Sequence, residues 1–427
     1  MAGGRQSQKL CLRQARQAAT VTHISSLPDD ILLQIFLRLP SLATLVRAAC
    51  TCPAWRRAVA SSPAFRSRFG ALHPAPLVGF FTGDKHNGLP DFAAAHGRFD
   101  KDVLAVLRGG DFDLTSLIME ECDDHVPLQW RVLDCRDGYL LMKNSITDQL
   151  ATVNPLARQG PDYIDMPPKS DISAEQRGKL FSLDPHLLSS DEDPMSFRLV
   201  WLFHDAFRVR AVVFASDTWD WHVLPWTEVT ARMPPLQQEE EEDDDDRAEW
   251  LQHGTQANGL VHLPFTYLDL VLTLDTKTME FSVWELPPPL CSTPRSLVVG
   301  ETKDGTPCIV RASGFSITVW MRRGGADENW EYFKDSLFYN EEPELLGHVC
   351  RTTDMTLMNG FVYLVTTESI LSLCLKTWNL DKLFPCSYGG EIYPSFMAWP
   401  PSLVGNYGSF ANCSSATQDG DSISSKP

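Results

Sequence analysis

The chain has 427 residues, of which 43% are hydrophobic and 10% aromatic, a composition typical of a globular protein with two or three domains. Its net charge of −18 is uneven: residues 1–70 hold ten Lys/Arg and two acids, which leaves the excess of acids in the remainder. An acidic remainder argues against a nucleic-acid partner because it would repel phosphates, and no apolar run approaches the roughly 20 residues of a membrane span.

Residues 1–22 are basic and lack the apolar core of a secretory signal peptide. They weakly resemble a transit peptide, but a disordered basic leader is the favoured interpretation. The eleven cysteines are scattered, and no second Cys/His pair at zinc spacing lies near Cys50 and Cys52. We therefore expect structural or free thiols, no metal site and a reducing compartment, with cytoplasm and/or nucleus as the default location.

A helical module is predicted over residues 23–70. Ser26 is a candidate helix cap, and Pro28 suits an early helical position because that position needs no amide donor. Asp29 and Asp30 follow in the first turn, where the helix dipole favours acids. The sequence thus predicts that the first helix begins here.

Three short helices follow from the apolar pattern. The stripe of the first helix consists of Ile31, Leu32, Ile35, Phe36 and Leu39, and Pro40 ends it. A second stretch carries Leu42, Leu45, Val46 and Ala49 on one side, and after the break at Pro53 a third begins with Trp55 and Val59. Helices this short bury little among themselves, so their apolar excess predicts a surface for a partner.

The string L-P-D-D-I-L-x-x-I-F-x-R-L-P, followed by L-x-x-L-V-x-A-A-C-x-C-x-x-W-R, resembles an F-box. In that family the Leu-Pro turn and the apolar stripe dock on a Skp-type adaptor, which binds a cullin. The resemblance implies adaptor-binding roles for Leu27, Pro28, Ile31, Leu32, Ile35, Phe36, Leu39, Pro40, Leu45, Val46, Cys52, Trp55 and Arg56. Pro53 departs from the family pattern, in which Lys or Arg commonly follows the Cys.

Periodicity alone would also fit a helical subdomain that packs on the rest of the chain. The Leu-Pro opening and the Cys-x-x-Trp-Arg ending favour the F-box. Trp55 and the aliphatic residues are expected to be partly core residues even so.

After a stiff linker at His73–Pro76 the period changes to short β-rich runs, so residues 71–405 are predicted to form a β domain. An internal repeat is visible in it: Asp137-Gly138, Asn258-Gly259 and Asn359-Gly360 each precede an apolar run. A second turn follows each glycine at one constant spacing, at Asn154, Asp275 and Lys376. Weaker copies turn at Asp217 and at Gly324-Gly325.

The turns recur roughly every 50–60 residues, and repeats of about this length with several strands each are typical of propeller blades. They predict a β-propeller-like domain of about six blades, closed by the C-terminal segment. A pair of β-sandwiches is the alternative. No amphipathic helix comparable to those of the first module is expected in this domain. The segments Asp137–Pro168 and Tyr393–Val404 resemble the F-box-associated propeller-like domains of plant F-box proteins, the latter in grass members.

The β domain offers few candidate site residues. An acidic loop over residues 236–249 contains eight consecutive acids and is predicted to be disordered, as is the tail 406–427. The tryptophans that could line a recognition surface are Trp201, Trp219, Trp221, Trp226, Trp284, Trp320 and Trp330. A place in the blade core is favoured for any one of them, and Trp219 and Trp330 are the better surface candidates.

Catalytic motifs are missing from the sequence. It has no G-x-S-x-G elbow, Walker loop or His-Glu-x-x-His, and histidines such as His204 and His262 are scattered. We therefore predict no catalytic residue and no cofactor. A propeller hydrolase would need two facing carboxylates in a deep central pocket.

The resemblance implies a non-catalytic substrate-recognition subunit of an SCF-type cullin ubiquitin ligase. The F-box would dock on a Skp-type adaptor, and the propeller would hold an unknown target protein, with no nucleic-acid or membrane partner. The alternative is an F-box scaffold that assembles no ligase. Residue patterns do not identify the target or the surface that binds it.

Overall fold

The structure, a computed structural model, describes residues 27–83, 88–95, 101–120, 129–156, 160–189, 196–229, 250–266, 268–287, 297–313, 316–322, 330–337, 352–366, 369–385, 391–400 and 403–404. The predicted leader 1–22, acidic loop 236–249 and tail 406–427 lie outside these residues. The chain divides into two compact units. Of the described residues, those from 27 to 75 and those from 399 on form a helical unit, and those between 76 and 398 form the other.

The helical unit contains α1 (Asp29–Phe36), α2 (Leu42–Cys50), α3 (Pro53–Ala60) and α4 (Pro63–Leu72). Local chemistry sets their starts. The Ser41 hydroxyl accepts a hydrogen bond from the Thr44 amide, and the Ser62 hydroxyl accepts one from the Phe65 amide, each at 3.2 Å. Pro53 and Pro63 occupy the beginnings of their helices, where the missing amide proton costs nothing.

The predicted module had three helices, and the structure has a fourth. The Ser61–Pro63 segment was interpreted as a transition, but Ser62 and Pro63 begin α4 just as Cys52 and Pro53 begin α3. The helical unit also ends later than predicted, because α4 runs to Leu72 and the division falls after Ala75. Ser26, the predicted cap of the first helix, lies outside the described residues.

One apolar cluster holds the helical unit together. Its buried members are Leu32, Phe36, Leu37, Leu45, Ala49, Ala58, Val59, Phe65, Phe69 and Leu403. Leu403 comes from the far end of the chain, a region that the sequence analysis assigned to the β domain. The structure instead places Trp399 and Leu403 in the helical unit, because both pack against this cluster.

The second unit is a six-bladed β-propeller. Blade 1 has β3 (Trp130–Arg136), β4 (Tyr139–Asn144), β5 (Leu150–Val153) and β6 (Asp162–Ile164), and blade 2 has β7 (Phe181–Ser182), β8 (His186–Ser189), β9 (Phe197–His204), β10 (Arg208–Ala215), β11 (Asp220–Val223) and β12 (Thr227–Glu228). Blade 3 has β13 (Thr255–Ala257), β14 (Leu260–Pro264), β15 (Leu270–Asp275) and β16 (Phe281–Glu285), and blade 4 has β17 (Leu297–Glu301), β18 (Pro307–Ser313), β19 (Ser316–Arg322) and β20 (Trp330–Leu337). Blade 5 has β21 (Thr352–Met358), β22 (Phe361–Thr366), β23 (Ser369–Cys374) and β24 (Leu380–Pro385), and blade 6 has β1 (Leu77–Thr82), β2 (Asp91–Ala94) and β25 (Ile392–Phe396). The predicted fold class and blade number are confirmed.

Blade 6 closes the ring with strands from both ends of the propeller sequence. β1 pairs with β2 on one side and with β25 on the other, antiparallel in both cases, with Leu77 opposite Phe396 and Thr82 opposite Ile392. The predicted closure by the C-terminal segment is therefore confirmed.

The sequence repeat corresponds to the turns of the blades. Each Asx-Gly pair joins the first strand of a blade to the second, and both residues of each pair have positive φ, for example 50° at Asp137 and 83° at Gly138. The second turns, at Asn154, Asp275 and Lys376, join the third strand to the fourth. Asp217 marks the same connection in blade 2. The Gly324-Gly325 turn lies outside the described residues.

The prediction that no amphipathic helix comparable to those of the first module lies in this domain was wrong, because Lys101–Gly109 is as long as the helices of that module. The propeller contains α5 (Lys101–Gly109), α6 (Thr115–Glu120) and α7 (Lys169–Ser173). Asp111 caps α6, because its carboxylate accepts hydrogen bonds from the amides of Thr115 at 2.8 Å and Ser116 at 2.9 Å.

Side chains of the innermost strands fasten neighbouring blades together. The Asp134 carboxylate of blade 1 accepts a hydrogen bond from the Leu187 amide of blade 2 at 2.8 Å. The Thr255 hydroxyl of blade 3 donates to the Val299 carbonyl of blade 4 at 2.7 Å. These bonds satisfy backbone groups that a lone blade would leave unpaired at its inner edge.

Gly138 allows a prediction about the close packing of these turns. It has φ +83°, and a Cβ added there would overlap the Cβ of Ala398. We expect Gly138→Ala to lower the free energy of propeller unfolding by about 1–3 kcal/mol in urea denaturation followed by circular dichroism. Gly178→Ala is the control, since Gly178 has φ +84° with no atom within 4 Å. Equal losses for the two variants would show that the approach to Ala398 contributes nothing.

Candidate functional site

The thirteen predicted adaptor-binding residues fall into three groups by exposure. The exposed group lies on and beside α1, with Ile31 45% and Ile35 41% exposed, flanked by Pro28 and Pro40. Ile31 and Ile35 are four residues apart and are therefore neighbours on one side of the helix. We call Pro28, Ile31, Ile35 and Pro40 the α1 stripe.

A second group lies in the core. Leu32, Phe36 and Leu45 are at most 4% exposed and belong to the apolar cluster of the helical unit. In this structure the three side chains hold α1 in the apolar cluster. That they contact the adaptor directly stays a prediction.

The remaining six residues, Leu27, Leu39, Val46, Cys52, Trp55 and Arg56, are partly buried. Trp55 packs the edge of its ring against Phe36, with the ring centroids 5.7 Å apart. Cys52 occupies the position that caps α3, where its backbone carbonyl accepts the Arg56 amide at 3.0 Å. These residues position the helices and leave a fraction of their surface at the rim of the α1 stripe.

The helical unit is basic. Residues 27–75 contain six arginines, no lysine and two acids, so their formal charge is +4. Arg66 is buried, and its guanidinium donates to the Ala60 carbonyl at 3.0 Å, whereas Arg38, Arg47 and Arg57 are exposed. An apolar stripe on a basic module suits an apolar groove on an acidic partner.

The candidate tryptophans of the propeller have different environments. Trp201 and Trp320 are buried in blade cores, as favoured by the sequence analysis. Trp219 is 48% exposed on the turn after β10, where it adopts φ 56° and packs against Phe214. Trp330 is half-buried and stacks on Trp284 with 5.2 Å between centroids.

Sequence reasoning missed several exposed apolar side chains. Ile146 and Phe207 lie on turns between the second and third strands of blades 1 and 2, and Tyr332 and Phe333 lie on the outer strand of blade 4. A turn position next to polar neighbours was the available signal for Phe207. The strand alternation of Trp330–Leu337 does not distinguish a covered face from an open one.

A buried ionic network at β10 of blade 2 also binds the backbone of α7 and of Glu175. Asp205 is fully buried and pairs with Arg208, whose guanidinium also donates to the Glu175 carbonyl. Arg210 donates to the carbonyls of Asp171 and Ile172. α7 and Glu175, which follows it, are thereby fastened to β10.

The histidines singled out in the sequence lie in the core. His204 stacks on Phe181, and burial lowers its pKa below the usual histidine value. Burial lowers the pKa of His262 to about 4, and its ring is hydrogen-bonded to the Thr273 hydroxyl at 3.0 Å. Both rings are therefore neutral near pH 7 and act as packing and hydrogen-bonding groups.

Among the described residues, no helix has the length and apolar character that a membrane crossing requires. Within the same residues, no group of three or more His, Cys, Asp or Glu is arranged to hold a metal ion. Burial raises the pKa of the Cys135 and Cys308 thiols to about 12, so these two cysteines are inert core residues.

An F-box module joined to a six-bladed propeller defines the class of this protein: it is an F-box protein. The family model described as F-box-like matches residues 24–69. The model described as "F-box protein AT5G49610-like, beta-propeller" matches residues 131–403, more than half of the chain. The chain belongs to this AT5G49610-like F-box β-propeller family. Domains of these two kinds are typically non-catalytic interaction domains, and no enzyme family is indicated.

No curated protein matches the chain. Solved structures that resemble it include TolB from Acinetobacter baumannii, with 11% identity, a TM-score of 0.32 and coverage of 77% of this chain and 73% of TolB. A nidogen/laminin complex has 13% identity, a TM-score of 0.33 and coverage of 62% and 83%. A functionally unknown protein from Desulfotomaculum acetoxidans has 11% identity, a TM-score of 0.34 and coverage of 62% and 72%. Likenesses this distant carry no argument about function.

Proposed function

We propose that this protein is the substrate-recognition subunit of an SCF-type cullin ubiquitin ligase. The helical unit docks on a Skp-type adaptor through the α1 stripe, and the propeller binds a target protein. The observation that carries the proposal is the exposure of Ile31 and Ile35 on the F-box helix, directly above a well-packed core.

The α1 stripe has the properties of a docking surface. Two adjacent exposed isoleucines on a helix are unfavourable in water, and covering each contributes about 1.5–3 kcal/mol before entropic losses. Leu27, Leu39, Val46 and Trp55 extend the apolar surface at its rim. Cys52 and Arg56 shape the start of α3, and Leu32, Phe36 and Leu45 hold α1 in place.

The gain from this arrangement is proximity. A target held on the propeller presents its lysines near the ubiquitin-conjugating enzyme that the cullin recruits, and the bond-forming chemistry belongs to those other subunits. No catalytic group is needed on this chain. We propose that the protein acts in the cytoplasm and/or nucleus and that its partners are proteins only. We also propose that it is a plant F-box protein.

The second candidate function is an F-box scaffold that binds the adaptor without assembling a ligase. The two are separated by co-purifying the full chain from cells and measuring both adaptor and cullin. A ligase subunit retains both proteins, whereas a scaffold retains the adaptor alone. Loss of both from folded protein would reject each function.

A further inference from the structure

The segment that follows the last propeller strand is built into the F-box module. β25 ends at Phe396, and three residues later the chain enters the helical unit at Trp399. Leu403 is 0% exposed and belongs to the same apolar cluster as Leu32 and Phe36 of α1. A residue that follows the whole propeller sequence therefore belongs to the core that α1 packs on.

Two hydrogen bonds and a ring contact hold this segment in shape. The Trp399 indole nitrogen donates to the Leu403 carbonyl at 3.2 Å, and the Leu403 amide donates to the Pro400 carbonyl at 2.9 Å. The Trp399 ring packs edge-on against Phe69 of α4, with 6.1 Å between centroids. These contacts tie Leu403 to Trp399 and Trp399 to α4.

The helical unit is expected to have little stability without Leu403. Its four helices span only eight to ten residues each. Units this small are marginally stable because they bury a small fraction of their surface. Removing a fully buried leucine leaves a cavity in the apolar cluster to which Leu32 and Phe36 of α1 also belong.

We propose that Trp399 and Leu403 are positioning residues for adaptor docking, so that the docking module is complete only when the C-terminal segment is in place. β25, the strand that closes blade 6, immediately precedes this segment, and a chain cannot dock until the propeller sequence has been synthesised to its end. Adaptor binding would in this way be limited to chains whose propeller sequence is complete. This inference rests on the proposed adaptor-binding function.

The test uses the full chain with substitutions at Leu403. Leu403→Asp is expected to lower affinity for a purified Skp-type adaptor by at least about tenfold, because a carboxylate cannot be buried in the apolar cluster. Leu403→Met conserves volume and is the matched control, expected to bind within about twofold of the parent chain. Wild-type affinity in Leu403→Asp would overturn the proposal.

Hydrogen exchange gives an adaptor-independent readout. In Leu403→Asp, the amides of α1 to α3 are expected to exchange faster, while those of β1 stay protected. If Leu403→Asp is insoluble, Leu403→Ala is measured by the same two criteria. If the parent chain binds no adaptor, the proposed function fails, and unchanged exchange in α1 to α3 would separately overturn the positioning role.

Discussion

Replacing Ile31 and Ile35 together with aspartate is expected to lower the affinity of the full chain for a Skp-type adaptor by about 100-fold or more. Two buried isoleucines contribute about 3–6 kcal/mol to an interface, and each 1.4 kcal/mol corresponds to about a tenfold change in affinity. The aspartates add the cost of desolvating two carboxylates. Titration calorimetry with purified adaptor measures the change.

Folding of the variant should be preserved, because both side chains are exposed and outside the apolar cluster. Leu72→Asp is the matched control: Leu72 is an exposed apolar residue of the same unit, 57% exposed on α4 and away from the α1 stripe in sequence. We expect it to bind the adaptor like the parent chain. Equal losses in the two variants would show that the α1 stripe has no special role.

Replacing Asp205 with alanine is expected to destabilise the propeller by about 3–5 kcal/mol, since it leaves the charge of Arg208 buried without its partner. The carboxylate accepts the Arg208 guanidinium at 2.6 Å and also the amides of Phe207, Arg208 and Arg177 at 2.9–3.0 Å. Chemical denaturation of the full chain, followed by circular dichroism, measures the loss.

Asp184→Ala is the control for this prediction. Asp184 pairs with Arg131 at 3.1 Å, but both side chains are partly exposed, so the expected cost is about 0–1 kcal/mol. Similar losses for the two variants would contradict the importance of burial for the Asp205–Arg208 pair.

The same network gives a pH dependence. Burial acts to raise the pKa of Asp205, but the hydrogen bonds from Arg208 and from backbone amides outweigh it and hold the pKa below the usual carboxyl value. The stabilisation is therefore fully present above the ordinary aspartate pKa and is lost as pH falls through the lowered value. Asp205→Ala should be less sensitive to acid than the parent chain in that range.

The repeat architecture was predictable because its signals are local. An Asx-Gly pair supplies the positive φ that the hairpin turn needs, and the constant spacing to the next turn reflects two strands of similar length. Closure followed from the same pattern. The helix Lys101–Gly109 was missed because its short apolar run, VLAVL, fits a strand as well as a helix; Asp102 in its first turn and the glycines at its end, Gly109 and Gly110, were signals that the interpretation left unused.

The candidate docking surface was predictable only in part. The apolar stripe of the first helix was visible, but periodicity marks every apolar residue and does not tell which ones the other helices cover. Leu32 and Phe36 are buried in a cluster to which α2, α3 and the distant Leu403 contribute, and nothing in the local sequence links Leu403 to the F-box. Exposure of Ile31 and Ile35 is thus a property of the folded unit.

Adaptor docking through α1 can be measured by hydrogen exchange of the full chain with and without a purified Skp-type adaptor. Bound adaptor is expected to slow exchange of the amides in and around Asp29–Phe36 and to leave exchange in the inner strands of the propeller unchanged. Binding that protects the propeller and not α1 would contradict docking through α1.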